Sequence, residues 1–203
     1  MRNPGTRIIA LGCVLIVAAF AITGWNLIDA KRAGDAAQEI LGALQSEIAE
    51  HNIKSDPTVH NIADNGDDTE MSAITIDGQA YIGIISIPIL ELELPVMADW
   101  SYSKMKVAPC RYKGSIYNNN MIILAHNYQQ FFGTLRYLNP GNNVIFTDSE
   151  NNVFHYTVKE IEQLRPNDVD KLVAGDWDLT LVTCTPGAQF RVTVRCTLTE
   201  VLL

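Results

Sequence analysis

A cysteine attacks a carbonyl only as its thiolate, and a thiolate needs a cation or a base close by. The stretch LTLVTCTPGAQFRVTVRC, residues 179–196, brings such a pair within reach. One β-rich run stops at Cys184 and the next starts at Arg191, with only Thr185, Pro186, Gly187, Ala188, Gln189 and Phe190 between them. A loop that short predicts an antiparallel pair with the thiol and the guanidinium near one rim. Arg195 lies on the same alternating face as Arg191 and Thr193, but further down the strand, so Arg191 is the better candidate. Placed there, an arginine can steady an oxyanion or hold a carbonyl without giving up its own proton.

The base must come from elsewhere in the chain. Of the four histidines, His51 ends a helical stretch, His60 lies in an acidic segment, and His155 alternates with Phe154 and Tyr156 as a solvent-facing strand residue. His126 closes the apolar run MIILA and is followed by Asn127 and Tyr128. That puts it at a strand end, where a rigid scaffold presents reactive groups. A structural histidine is the plain alternative at such a position. Thiol, imidazole and guanidinium together would suffice for acyl transfer.

These groups need a β scaffold, and the periodicity provides one from Ala73 onward. AITI, a turn at Asp77-Gly78, YIGIISIP and ILELELPVM alternate apolar with polar residues, and MIILAHNY is a further apolar strand. FFGTLRYL reads as a short helix stopped at Asn139-Pro140-Gly141, and NNVIFTD with NNVFHYTVKEIEQL reads as a hairpin around Ser149-Glu150. A turn or helix from Pro166 to Val173 precedes the final pair. About eight strands with brief helical connections and no long βαβ alternation predict a mainly β fold, a closed or nearly closed β-barrel.

Upstream, the chain is uncharged from Ile8 to Ile28 and preceded by Arg2 and Arg7. That length crosses a bilayer as a helix, and the flanking arginines favour a cytoplasmic start and an exported remainder, although Lys31 and Arg32 dilute the asymmetry. A secretory signal cut after Ala19-Phe20-Ala21 is the alternative; the apolar run continuing through Trp25, Leu27 and Ile28 favours a retained, single-pass anchor. Lys31 to Asn52 carries Ala36, Ile40, Leu44 and Ile48 at four-residue spacing, joined by Leu41, which predicts an amphipathic helical stalk.

An acidic linker then follows, nearly free of large apolar groups in NIADNGDDTE. Asp64-Asn65-Gly66-Asp67-Asp68 lacks the ligand spacing and terminal glutamate of a calcium loop, so no metal or cofactor is expected. The domain reading is therefore residues 1–30 for the tip and anchor, 31–72 for the stalk and linker, and 73–203 for the barrel.

Fifteen Lys and Arg against 23 Asp and Glu leave a formal charge of -8, which argues against nucleic-acid binding because phosphate affinity needs clustered cations. With Cys13 inside the apolar run, Cys110, Cys184 and Cys196 form an odd set, so at least one thiol is free. Two buried thiols at Cys110 and Cys196 fit better than a bridge between them.

LAHNY with FFGTLRYL and NPGNNVIF behind it, then DLTLVTCTPG and QFRVTVRC, resembles the sortase family of Gram-positive bacteria. YIGIISIPILELELPVM and CRYKGS are similar to the family's opening strands and the loop before its histidine. The resemblance runs from about Tyr81 to the end. It implies an eight-stranded barrel and a membrane-anchored cysteine transpeptidase. In that reading His126, Cys184 and Arg191 match the family's histidine, nucleophile and arginine.

The implied substrates are proteins with an LPxTG-like sorting signal, and the implied acceptor is an amine of a cell-wall precursor or a pilin lysine. Thr183 and Asn127 are further candidates for contact with substrate; a β-branched strand residue is the plain reading of Thr183. The helical segment at Ala36 to Ile48 and the sequence from Tyr81 to Met97 lean toward class B, while the connection from Leu164 to Asp178 is shorter than that class leads one to expect. The reading from another functional class is an exported, non-catalytic barrel that binds or assembles, with Cys184 a structural thiol.

Overall fold

The computed structural model describes residues 4–54 and 71–203. A helix, α1, runs unbroken over Pro4–Lys54. Its first half is apolar on all sides and uncovered: Ile8, Phe20 and Trp25 are more than two-thirds exposed. Among the described residues it is the one helix long and apolar enough to cross a membrane. The second half has a dry face, with Ala37, Leu41, Leu44 and Ile48 buried against the barrel. Full burial of each of the larger side chains contributes about 1.5–3 kcal/mol, so the stalk is packed onto the domain. The buried stripe passes through Ala37 and leaves Ala36 exposed, because a straight helix advances 3.6 residues per turn and a strict four-residue repeat drifts off its face. The acidic linker, His60 and the weighed calcium loop lie outside the described residues.

The strands are β1 (Ile74–Ile76), β2 (Gln79–Ile87), β3 (Leu92–Met97), β4 (Cys110–Lys113), β5 (Met121–Leu124), β6 (Asn143–Asp148), β7 (Val153–Leu164), β8 (Leu179–Cys184) and β9 (Arg191–Leu202). Neighbours follow the order β1-β2-β3-β4-β5-β8-β9-β7-β6, and β6 returns to pair with β2. The ring therefore closes over eight strands, as the sequence predicts. β1 is a short addition, turned onto the start of β2 by Asp77 and Gly78, both at positive φ. The pairings β3–β4 and β5–β8 are parallel and the rest antiparallel.

Alternation sorts the side chains of β5, β8 and β9 onto two faces. Ile123 and Ala125, Leu179 and Leu181, and Val192, Val194 and Cys196 join Phe146, Tyr156 and Val158 inside the barrel. A 3-10 helix over Phe132–Tyr137 contributes Phe132 and Leu135 to the same core. The opposite parity, Leu124, Thr180, Val182, Cys184, Arg191, Thr193 and Arg195, points outward. A short helix α2 (Val169–Val173) in the β7–β8 connection crosses over part of that outer face.

Candidate active site

Cys184 and Arg191 are paired residues across β8 and β9. Their Cα atoms are thus about 5 Å apart. On the other side of β8, the parallel register with β5 runs Ile123↔Leu181 and Leu124↔Val182, and the Ala125 amide continues it by donating to the Val182 carbonyl at 3.1 Å. β5 itself ends at Leu124, and the chain continuing from it carries His126 to the end of β8, where His126 and Cys184 line the same groove. The three residues expected from the sequence therefore form a row across three neighbouring strand ends. They are half-buried and line one groove of about 280 Å³.

Trp100, Tyr102 and Tyr112 form one side of the groove, with the two tyrosines each packed on Trp100 at ring-centroid distances of 5.7 and 5.5 Å. Leu164, Pro166, Val169 and Leu172 form the other. A larger depression under α1, about 610 Å³, is lined by no cysteine or histidine among the described residues.

Each group has a distinct setting. Arg191 donates only to the carbonyls of Ala188 and Phe190 in its own loop, at 3.3 and 3.4 Å, and makes no ion pair among the described residues. The His126 ring stacks on Tyr128 with centroids 5.2 Å apart and planes 28° from parallel. Its Nε2 is buried and has no hydrogen-bond partner among the described residues. Burial pulls its pKa below the ordinary histidine value, the Lys106 ammonium lowers it further, and Asp29 opposes both.

Arg195 is the opposite of Arg191. It is 2% exposed and uses four of its five N–H donors: Nε donates to Glu162 Oε1 at 2.9 Å, Nη1 to the Leu172 carbonyl at 2.7 Å and the Thr180 hydroxyl at 3.2 Å, and Nη2 to the Lys171 carbonyl at 2.8 Å. It clamps α2 to the sheet and is too deeply buried to reach a substrate at the rim.

Thr183 and Asn127 each make a hydrogen bond that ties the strand ends together, and Thr183 also lines the groove. Thr183 faces inward and its hydroxyl donates to the Ala125 carbonyl at 2.9 Å, fastening β8 to the end of β5. Asn127 Nδ2 reaches the Thr185 carbonyl at 3.4 Å, joining the loop after β5 to the loop after β8. Cys110 and Cys196 are free and buried, with burial as the main cause pushing both thiols up to about 12. No group of His, Cys, Asp and Glu suited to a metal occurs among the described residues. The groove walls escaped the sequence reading. Trp100 and Tyr112 are near neighbours only through the fold, although their aromatic character beside Asp99 and Arg111 was a usable signal.

A thiol, an imidazole and a guanidinium thus line one groove of a closed barrel, the groups that nucleophilic catalysis by a cysteine requires. Residues 85–199 match the family model described as the sortase domain. The chain belongs to the sortase family. It is 26% identical over 127 residues to sortase A of Bacillus anthracis, an alignment covering 60% of this chain and 60% of that relative. Sortase C1 from Streptococcus agalactiae superposes with a TM-score of 0.55 at 25% identity, over 62% of this chain and 71% of that one. A sortase D5 transpeptidase from Clostridium perfringens reaches 0.60 at 18% identity, over 82% and 99%. These relatives carry the labels A, C1 and D5, so the similarity does not select the class B pattern suggested by residues 36–48.

Proposed function

We propose that this protein is a membrane-anchored cysteine transpeptidase that cuts LPxTG-like sorting signals and joins the released acyl group to an amine. The observation that carries this reading is the row His126, Cys184, Arg191 at the mouth of one groove. The Cys184 thiolate attacks the carbonyl carbon of the signal's threonine, forming a C–S bond and an oxyanion that faces the Arg191 guanidinium. Collapse breaks the C–N bond, and the His126 imidazolium delivers its proton to the departing amine. The acceptor amine then attacks the thioester, neutral His126 takes up a proton, the new C–N bond forms, and the thiolate leaves. Water in place of the amine gives slow hydrolysis.

Thr183 and Asn127 support this row by fixing the ends of β8 and β5, and the groove between the aromatic side and the α2 side would receive the signal in extended form. Residues 1–30 serve as the single-pass anchor with Arg2 and Arg7 on the cytoplasmic side, residues 31–72 as stalk and linker, and residues 73–203 as an extracellular catalytic domain. The acceptor is an amine of a peptidoglycan precursor or a pilin lysine.

The test is a library of LPxTG-like peptides given to the wild type and to Cys184→Ala, with and without triglycine or a lysine amine. Cleavage lost in the variant and a ligated product with amine support the reading. Equal cleavage by both proteins removes it, and hydrolysed product alone in the presence of amine makes the enzyme a peptidase.

A further inference from the structure

The loop after β5, which carries His126, lies against α1 where that helix leaves its apolar segment. Three contacts define the junction. The Tyr128 hydroxyl donates to Asp29 Oδ2 at 3.1 Å. Gly34 passes so close to Gln130 that a β-carbon there would come within 2.7 Å of its Cγ. Ala33 and Tyr128 both pack against the barrel core, and Tyr128 also tilts against Phe131 at 5.7 Å. His126 stacks on the same Tyr128 ring, with centroids 5.2 Å apart. Asp29 is the first charged residue after Ile28, so an acidic group is pinned at the exit of the anchor, one aromatic ring away from the imidazole.

We propose that Asp29, acting through Tyr128, is a positioning residue for His126, so that the anchoring helix completes the site it tethers. The hydroxyl-to-carboxylate bond holds the far end of the Tyr128 side chain in place, and the ring so held supports the imidazole stacked on it. The negative charge also favours the imidazolium, the form required to protonate a departing amine. The other charged or titratable groups around the ring are Lys106 from the turn after β3, Tyr128 itself, Cys184 from β8 and Arg191 from β9. Lys106 and burial both disfavour the imidazolium, and Asp29 is the group that opposes them. A protein shortened to begin after residue 30 would keep the groove and lose this support.

The inference rests on the transpeptidase reading, and its test uses two measurements that can fail separately. The full-length protein in detergent micelles, labelled at its histidines, is titrated by NMR as wild type, Asp29→Asn, Asp29→Glu and Tyr128→Phe. In Asp29→Asn the His126 resonance should titrate at lower pH than in wild type, and Asp29→Glu should restore it. Loss of the imidazolium limits activity on the alkaline side, so the alkaline limb of peptide cleavage should move to lower pH in Asp29→Asn, with a roughly threefold loss of kcat on that limb and little change in KM. Tyr128→Phe keeps the stack but frees the carboxylate, and should broaden or shift the His126 ring signals. An unmoved His126 titration in a folded Asp29→Asn protein overturns the proposal. A wild type that never cleaves peptide speaks against the transpeptidase reading instead, and the titration still decides the role of Asp29.

Discussion

The two arginines of β9 lie on the same face of the same strand, and their surroundings could hardly differ more. Arg195 is enclosed by α2, paired with Glu162 and bonded to two carbonyls and a hydroxyl. Arg191 stands at the rim with two long bonds to its own loop and no acidic partner among the described residues. A satisfied buried cation holds a fold together, and removing it strands the groups it was serving. A cation left unpaired at the mouth of a groove is free to meet charge that develops in a reaction. Sequence alternation puts both on one face, and only the packing of α2 separates the structural end of the groove from the reactive one.

That contrast can be broken or sharpened by substitution. At the reactive end, Cys184→Ala should lower turnover of a sorting-signal peptide by at least about 10³-fold while leaving the far-UV spectrum and melting temperature unchanged. Arg191→Met should reduce kcat about 10²- to 10³-fold and change stability by less than about 0.5 kcal/mol in urea titration. At the structural end, Arg195→Met should destabilise the fold by about 3 kcal/mol, a figure held below the full cost of breaking a buried pair because Glu162 is 32% exposed. Equal loss of stability in the two arginine variants would erase the distinction between them.

Smaller changes probe the ground between the ends. Lys106 lowers the pKa of His126, so Lys106→Gln should raise it and move the alkaline limb of the pH profile to higher pH, opposite in sign to Asp29→Asn. Between the two arginines, the Thr193 hydroxyl is fully buried with no partner among the described residues. Thr193→Val should therefore stabilise the protein by about 1 kcal/mol, read as a higher melting temperature. A lower one would mean that the hydroxyl is bonded in solution.

Much of this arrangement could be read directly from residues. LTLVTC and RVTVRC, split by a Pro-Gly loop, specify a hairpin in register, and that register alone makes Cys184 and Arg191 partners. Aspartate and glycine at 77 and 78 mark the first turn, and MIILAHNY marks a strand, which ends at Leu124, two residues before the histidine. What could not be read is the pairing of β5 with β8. Those strands are distant in sequence and parallel, and no turn chemistry joins them. The placement of His126 beside Cys184 therefore came from the family resemblance more than from spacing. The stalk was legible as a helix, but its docking was not, since an apolar stripe does not name its partner; Leu41 and Leu44 find Tyr81, Met97 and Cys110 only in the fold. The bond from Asp29 to Tyr128 spans 99 positions and was invisible for the same reason.

The most direct test is the intact mass of the full-length protein quenched in acid during reaction with a sorting-signal peptide and no added amine. An adduct equal to the acyl fragment, mapped to Cys184, absent from Cys184→Ala and discharged by triglycine, is the predicted result. Cleaved peptide with no adduct at any time point, or an adduct that persists in Cys184→Ala, would contradict the chemistry assigned to the groove.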